Sequence, residues 1–395
     1  MWRHVASNAL TFFIVALFLL GGVITWGANQ YAAPGPLAQA ICLRVEAGSN
    51  MRDVSAELTA QGAVSSGTVF GIGADYSGKA GALKAGSFLV PEAASMQEIV
   101  DIVTRGGAST CGTEVVYRIG IARVLVEVRE LDAATNRFVE IAKFDPATEP
   151  VPPAYTEMRA KADTRFRVTL AEGVTSWQVM TELNGLDVLE GDVTEVPPEG
   201  SLAPDSYEVA PGTLVADVLA QMTVEQTGIL AELWAERAAD LPISTPEEAM
   251  ILASIIEKET GVPEERAQVA SVFVNRLRQG MKLQTDPAVI YGVTNGQGLL
   301  GRGLRASELR AATPYNTYVI DGLPPTPIAN PGRDAIEAAL HPATTDFVFF
   351  VADGTGGHAF ADNLEDHNVN VARWREIEAQ QAAEAAANGT VVEGQ

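Results

Sequence analysis

The stretch TPEEAMILASIIEKETG, residues 245–261, has the pattern of a helix with marked ends. Thr245 and Glu248 have the spacing of a capping box, and Pro246 fits the first helical position. Gly261 is of the residue type that most often follows a helix end. The pattern therefore predicts a helix between these start and stop signals.

Two carboxylates lie at the end of this predicted helix. Residues 249–256 are apolar nearly all round it, so the helix should be buried inside a domain. Glu257 and Glu259 are about 200° apart at 3.6 residues per turn and cannot share one face. Glu259 continues the more apolar stripe, since it follows Ile255 and Ile256 by four and three positions.

Glu259 is therefore the first candidate for acid–base chemistry, and Glu257 is the secondary candidate. Burial disfavours a charged carboxylate, and the negative end of the helix dipole adds to this effect. Both would raise the pKa of Glu259 toward the range that a general acid needs. The alternative from helix geometry alone is a salt-bridged structural glutamate.

Composition excludes several classes of protein. The 395 residues are 47% hydrophobic, enough to form two or three ordinary domains. Fifty acidic and 27 basic residues give a net charge of −23, which argues against nucleic-acid binding. His341, His358 and His367 lack paired metal-ligand spacing, and no nucleotide-binding glycine loop is present. We expect neither a metal nor a cofactor. His358 follows a glycine-rich turn, predicted to close a hairpin, and has either a structural or a substrate-side role.

The N-terminal region contains a candidate membrane anchor. Residues 9–27 carry no charge and are long enough for one transmembrane helix. Trp26 is placed like an interfacial anchor, and Arg3 and His4 precede the span, so the positive-inside rule directs the bulk of the chain outward. A cleaved signal peptide is the alternative.

The chain has two cysteines, Cys42 and Cys111, and both follow the predicted span. An oxidising compartment outside the membrane would allow them to pair. Because sequence gives no distance between them, two separate buried thiols remain equally open.

An internal repeat of two small α+β modules is expected beyond the membrane segment. Each copy is predicted as strand, helix, second strand and second helix. Between the copies, residues 115–144 alternate apolar and polar side chains around 132–136, which predicts an inserted hairpin with a longer loop. The predicted elements are 43–48, 51–58, 84–90 and 95–103 in the first copy, and 168–173, 176–183, 199–207 and 214–222 in the second.

The fold class expected from these patterns is α+β, with one N-terminal transmembrane helix, two repeat modules and a mixed, helix-rich C-terminal domain. The predicted boundaries are a cytoplasmic N-terminus at 1–8, a transmembrane helix at 9–27, a linker at 28–40, a first module at 41–107, the hairpin and Pro-rich linker at 108–165, a second module at 166–225, a C-terminal domain at 226–375 and a fraying tail at 376–395.

Several long blocks in the C-terminal domain resemble, in order, the YceG-like endolytic murein transglycosylases. The resemblance is dense from about residue 243 to 375 and looser in the second module. The blocks include ASIIEKET at 253–260, VASVFVNRL at 269–277, LQTDP at 283–287, TPYNTY at 313–318, GLPPTPIANPG at 322–332 and GGHAF at 356–360.

The resemblance implies a catalytic role for one glutamate. Glu259-Thr260 is similar to the Glu-Ser pair of other lytic transglycosylases, which favours Glu259 over Glu257. Such enzymes cleave the bond between N-acetylmuramic acid and N-acetylglucosamine, with one residue acting as acid and then base. The sugar's own 6-hydroxyl closes a 1,6-anhydro ring. The first module resembles the LysM-like glycan-binding unit of the same family, whereas the hairpin at 115–144 lies outside the usual pattern.

The polar blocks suit sugar handling. Hydroxyl, amide and ring groups are candidates for hydrogen bonds to acetamido and hydroxyl groups and for stacking on sugar faces. Arg276 is a candidate partner for a carboxylate. The candidate substrate-binding residues are Gln284, Asp286, Tyr315, Asn316 and Tyr318.

Two other functions remain open at this stage: a non-catalytic peptidoglycan-binding scaffold of the cell-wall synthesis machinery, and a lysozyme-type hydrolase in which Asp286 could act as a second acid. The expected partners are peptidoglycan strands and, by family implication, penicillin-binding synthases. The expected location is a bacterial inner membrane, with a single pass and the bulk of the chain in the periplasm.

Overall fold

The computed structural model describes residues 2–106, 109–161 and 163–387. Both of the compact units into which the chain divides mix helix and strand, which confirms the mixed fold class. Unit 1 comprises Met1–Val116, Val126–Phe144 and Thr148–Arg165, and unit 2 comprises Tyr117–Leu125, Asp145–Ala147 and Phe166–Gln395.

Unit 1 begins with the long helix α1, Trp2–Ala32. Its segment Leu10–Ala32 has 23 residues and a mean hydropathy of 2.2, and its most apolar window is unburied. By length and composition this segment can cross a membrane, although a signal sequence meets the same criteria. It overlaps the span predicted at 9–27.

The segment after α1 folds as strand, two helices, strand and helix. β1 and β2 pair antiparallel, with Ile41 opposite Val90. The helix α3 was not predicted, because its three glycines weaken helix propensity. Phe70 and Ala74 on α3 are fully buried in the unit's core, so packing stabilises it. The elements are β1 (Ile41–Val45), α2 (Met51–Ala60), α3 (Gly67–Tyr76), a 3₁₀ turn (Ala80–Ala82), β2 (Gly86–Val90) and α4 (Met96–Thr104).

A disulfide joins the two cysteines of unit 1. Cys42 on β1 and Cys111 are bonded, with their Cα atoms 5.8 Å apart. The pairing that the sequence left open is therefore present, and it closes a loop over a sequence separation of 69.

The segment predicted as an inserted hairpin and Pro-rich linker, 108–165, contains three strands and a short helix: β3 (Thr113–Ile119), β4 (Val124–Asp132), β5 (Arg137–Phe144) and α5 (Pro153–Arg159). β4 and β5 form the predicted hairpin around 132–136, with Asp132 opposite Arg137 and a register shift between Val128 and Arg129. Gly120 donates its backbone amide to Arg123, which marks the turn between β3 and β4.

In the second predicted module the two helices overlap their predicted ranges, whereas the strand predicted at 199–207 is present only from Ser206 to Val209. β6 pairs antiparallel with β8, with Phe166 opposite Val209, and β7 pairs parallel with β9. The helix α7 has 21 residues and continues well beyond its predicted end at 222. The elements are β6 (Arg165–Leu170), α6 (Ser176–Gly185), β7 (Leu189–Glu190), β8 (Ser206–Val209), β9 (Thr213–Leu214) and α7 (Val215–Ala235).

The rest of unit 2 is built around the helix that the sequence singled out. α8 packs most extensively on α11, and their apolar side chains join those of α9 in one core. The elements are α8 (Pro246–Glu259), a 3₁₀ turn (Pro263–Glu265), α9 (Arg266–Gln279), α10 (Asp286–Thr294), α11 (Arg333–Leu340), β10 (Phe349–Ala352), β11 (His358–Ala361) and α12 (Leu364–Ala387).

Two predicted ends need correction. The helix α8 ends at Glu259, because Thr260 is already extended (φ −142°, ψ 134°), and Gly261 does not supply a left-handed stop. The predicted fraying tail is helical as far as Ala387, since α12 continues through it, and the remainder lies outside the described residues. The hairpin predicted at the glycine-rich turn is confirmed as β10–β11, with Ala352 opposite His358.

Candidate active site

The start of α8 fixes the helix that carries the candidate acid. The Thr245 hydroxyl accepts a hydrogen bond from the Glu248 backbone amide at 3.2 Å, as the predicted capping box requires. The Glu248 carboxylate, however, accepts from the backbone amide of Ser244 at 2.5 Å rather than from that of Thr245. Two backbone donors at this end are therefore satisfied by side chains.

The middle of α8 is buried on all sides, as predicted. Every residue from Ala249 to Ile256 is buried, which anchors the helix in the core. The hydroxyl of Ser254 donates to the Ile251 carbonyl at 2.8 Å and accepts from the Ile328 amide at 3.0 Å. This second bond ties the Pro-rich segment to the helix, whose last residue is Glu259.

Glu259 has the electrostatic environment of a general acid. Its side chain is partly exposed, yet the surrounding protein desolvates it and raises its pKa to about 7. The nearby hydroxyl of Thr285 partly offsets this rise in the pKa of Glu259. Among the described residues, this hydroxyl has no hydrogen-bond partner within the usual distance. The charge of Asp286 raises the pKa, and the charges of His358 and Arg276 lower it. Glu259 can therefore hold or release a proton near neutral pH.

The segment 284–286, which lies beside Glu259, begins with a residue in an uncommon backbone conformation. Gln284 has a left-handed backbone (φ +51°), which is uncommon for residues other than glycine, and its side chain is exposed. Its amide donates to the Thr317 carbonyl at 3.1 Å. Thr285 and Thr317 then exchange two hydrogen bonds through the Thr317 hydroxyl, at 2.9 and 3.1 Å. These bonds lock residues 284–286 against 316–318.

Asp286 and Tyr318 meet as a consequence. The Tyr318 hydroxyl donates to Asp286 Oδ1 at 2.7 Å. Desolvation first, and the Asp286 carboxylate second, raise the pKa of Tyr318 above its ordinary value, with a contribution from Glu259. Glu259, Asp286 and Tyr318 thus form one polar group, to which Gln284 is adjacent in sequence.

Arg276 supports the site from within the core. Its guanidinium donates to the carbonyls of Val348 at 2.7 Å and Leu283 at 2.6 Å, and it lies over the Phe349 ring at 5.6 Å. Desolvation lowers its pKa, and the charge of Glu259 opposes that effect. Arg276 therefore binds two carbonyls, whereas the sequence had offered it as the partner of a carboxylate.

Glu257 serves a different part of the fold. Its carboxylate accepts from the Gly332 amide at 3.0 Å, at the N-terminal end of α11, where a negative charge is favourable. Desolvation raises the pKa of Glu257, and this hydrogen bond opposes the shift. Glu257 and Glu259 thus contact different groups, in agreement with the prediction that they lie on different faces.

Asn316 requires a correction. It is fully buried, and its amide nitrogen donates to the carbonyls of Glu308, Leu309 and Ala311. Its oxygen accepts from the Tyr318 amide at 3.1 Å. Because Asn316 has no accessible surface and its polar atoms are occupied, it organises the loop and is not placed to bind a sugar.

Tyr315 lies on the accessible side of the same loop. Its hydroxyl shares a hydrogen bond with the Thr326 hydroxyl at 2.7 Å, and its half-buried ring lies 5.0 Å from the ring of Tyr291. Tyr291 in turn donates to Glu199 at 3.1 Å. Burial raises the pKa of Glu199.

Sequence reasoning missed Thr285, Tyr291 and Glu199 as neighbours of the site. Thr285 directly precedes α10, and only the pairing with Thr317 brings it to Glu259. Glu199 begins the segment that was predicted as a strand, 199–207, and that pattern does not mark it as a neighbour of the acid. Among the described residues, no group of three or more His, Cys, Asp or Glu side chains is arranged to hold a metal ion.

A partly exposed carboxylic acid whose pKa is raised toward neutrality, at the end of a buried helix, makes this a candidate general acid–base site. A family model described as the YceG-like family matches residues 143–373, more than half of the chain. The chain therefore belongs to the YceG-like family.

Known relatives agree with this membership. An endolytic murein transglycosylase of Bacillus subtilis (strain 168) is 38% identical over 173 residues, which are 44% of this chain and 46% of that protein. One from Streptococcus pneumoniae serotype 2 (strain D39 / NCTC 7466) is 26% identical over 390 residues, 93% of this chain and 65% of that protein. The chain spans less than two thirds of either relative's length.

A crystal structure of a putative YceG-like protein from Listeria monocytogenes also aligns. It is 23% identical with a TM-score of 0.43, and the match covers 84% of this chain and 98% of that one.

Proposed function

We propose that this chain is an endolytic peptidoglycan lytic transglycosylase in which Glu259 acts first as general acid and then as general base. The observation that carries the proposal is the desolvated Glu259 carboxyl with a pKa of about 7, in a chain that belongs to the YceG-like family. The names of the two relatives supply the reaction class.

The proposed reaction needs one proton carrier. Protonated Glu259 gives its proton to the oxygen that joins N-acetylmuramic acid to N-acetylglucosamine, and the bond between that oxygen and C1 breaks with its electron pair moving to the oxygen. The developing oxocarbenium centre is attacked by the 6-hydroxyl of the same muramic acid. The Glu259 carboxylate removes the hydroxyl proton as the new C1–O6 bond forms, which restores the acid. No water is consumed.

Asp286 fits a supporting role in this scheme better than the role of a second acid. It accepts from the Tyr318 hydroxyl, and its charge raises the pKa of Glu259, which keeps the proton on Glu259. We assign substrate contacts to Gln284, Asp286 and Tyr318 beside Glu259, and to Tyr315 on the same loop. We withdraw Asn316 from this set because it is buried.

The first module and α1 fit a membrane-bound glycan enzyme. The module has the order strand, helix, helix, strand, and we propose that it is LysM-like and binds glycan. With the apolar segment Leu10–Ala32 in the inner membrane, the bulk of the chain would face the periplasm, where nascent strands are made. Association with penicillin-binding synthases remains a prediction from the family.

The test compares two carboxylate variants of the full chain in detergent with uncrosslinked glycan strands. We expect Glu259→Gln to lower the rate of strand cleavage by at least about 10³-fold, since Gln cannot donate the proton. Glu257→Gln is the matched control, two positions away on the same helix, and it should retain most of the activity. Equal activity of wild type and Glu259→Gln would remove Glu259 from the mechanism, and absence of cleavage by every form would favour the glycan-binding scaffold.

A further inference from the structure

A second carboxylate site lies directly beyond the helix that carries Glu259. The carboxylate of Glu265 accepts hydrogen bonds from the Thr260 hydroxyl at 2.6 Å, from His358 Nδ1 at 2.6 Å and from the His358 backbone amide at 3.0 Å. The side chains of Glu265 and His358 are only 11% and 16% exposed. Nothing in the proposed reaction so far uses this group.

The surrounding chain holds the pair in one arrangement. Thr260 follows Glu259 directly, so the Glu265 carboxylate is tied to the end of α8. The edge of the Phe350 ring packs on the His358 ring at 5.1 Å. A Cβ atom on Gly357 would lie 3.1 Å from Glu265 Oε2, so a larger residue there would press on the carboxylate. These contacts with Thr260, Phe350 and Gly357 hold the Glu265 carboxylate and the His358 ring in place.

The other ring nitrogen of His358 is unused. Nε2 forms no hydrogen bond to any described residue, and it is not among the buried polar atoms that lack a partner. It is therefore accessible to solvent. His358 is also among the groups that contribute to the pKa of Glu259, which is consistent with the ring lying near the acid.

The ionisable groups near His358 come from three parts of unit 2. They are Glu265 on the 3₁₀ turn, Glu259 at the end of α8 and Asp353 in the β10–β11 turn. Hydrogen bonds from Thr355 lower the pKa of Asp353, with a smaller contribution from His358. The Glu265 carboxylate is the only one of these three that bonds the ring in the described residues, so it sets which nitrogen donates.

We propose that Glu265 is a positioning residue that fixes a proton on His358 Nδ1, so that Nε2 forms a hydrogen bond to a sugar hydroxyl or acetamido group beside Glu259. This inference rests on the proposed function and adds a substrate-contacting residue to it. A carboxylate that binds one nitrogen of an imidazole fixes both the orientation of the ring and the nitrogen that carries the proton. No proton is transferred between Glu265 and His358 in this role.

Two amide variants of His358 separate the two ring nitrogens. In His358→Asn the amide nitrogen can replace Nδ1 and keep the bond to Glu265, but the Nε2 position is empty. In His358→Gln the amide oxygen reaches toward the Nε2 position and can accept a hydrogen bond there, but the Nδ1 bond to Glu265 is lost. Kinetics with uncrosslinked glycan strands, thermal melting, and ¹⁵N resonances of the imidazole in the full chain give three readouts.

We expect His358→Asn to melt within a few degrees of wild type and to lose at least about tenfold in kcat/KM, with a partial return of activity in His358→Gln. Glu265→Gln should move the ¹⁵N signature of Nδ1 and lower kcat/KM by a similar factor. Full activity in a folded His358→Asn would overturn the inference while leaving Glu259 catalysis intact. An Nδ1 without a proton in the wild type would also overturn it, independently of activity. If the wild type cleaves no glycan, the proposed function fails and this inference fails with it.

Discussion

At the residue scale, the central feature is the contrast between Glu257 and Glu259. Helix geometry alone predicts that the two side chains lie on different faces, and in the structure they have different neighbours. Glu257 accepts a hydrogen bond from the Gly332 amide, whereas Glu259 lies beside Thr285. Residue-level reasoning failed at Asn316, because a polar residue in a substrate-like block has no sequence feature that distinguishes loop organisation from sugar binding. Only its complete burial decides the role.

The raised pKa of Glu259 makes a prediction about stability. The folded protein holds this proton up to a pH of about 7, whereas the unfolded chain releases it near the ordinary value of 4.5. Between these values the folded state binds more protons, so the free energy of unfolding falls as pH rises through this window. Because Glu259→Gln has no titrating group at this position, its free energy of unfolding does not fall for this reason.

We therefore expect the stability of Glu259→Gln, relative to wild type, to increase by about 1–2 kcal/mol between pH 5 and pH 8, after allowance for solvent access to the carboxyl. Urea denaturation of both proteins at the two pH values measures this difference. A stability difference that does not change with pH would show that Glu259 titrates in the folded protein much as it does in the unfolded chain.

At the element scale, α8 was predictable because its start, buried face and two carboxylates are all local patterns. Its end was misjudged because Thr260 leaves the helix to bond Glu265, a contact that no local pattern contains. The helix α3 was missed for the opposite reason: its glycines obscure a helix that tertiary packing of Phe70 stabilises.

The hydroxyl of Ser254 gives a test of how α8 holds the Pro-rich segment. Ser254→Ala would leave the buried Ile328 amide without its partner at 3.0 Å, and an unsatisfied buried donor costs about 1–3 kcal/mol. We expect the free energy of unfolding to fall by that amount in chemical denaturation. Ser307→Ala, at an exposed position, is the control and should change it by less than about 0.5 kcal/mol. Equal effects of the two substitutions would mean that the buried hydrogen bond adds no stability.

At the scale of the whole molecule, order along the chain was more informative than any single motif. The blocks from residue 243 to 375 resembled one family, and the family model extends that match back to residue 143. The Gln284–Thr317 and Thr285–Thr317 contacts that assemble the site join residues more than 30 positions apart. Such contacts depend on the folded chain, so Thr285 could not be found from the sequence.

The central claim is that one carboxylic acid suffices because the sugar supplies its own nucleophile. The most direct test is mass spectrometry of the ends produced when the full chain cleaves uncrosslinked glycan strands. The account predicts 1,6-anhydro-N-acetylmuramic acid ends, whose mass is lower by one water than that of reducing ends, and predicts their loss in Glu259→Gln. Reducing ends carrying oxygen from labelled water would contradict it and would make the protein a hydrolase.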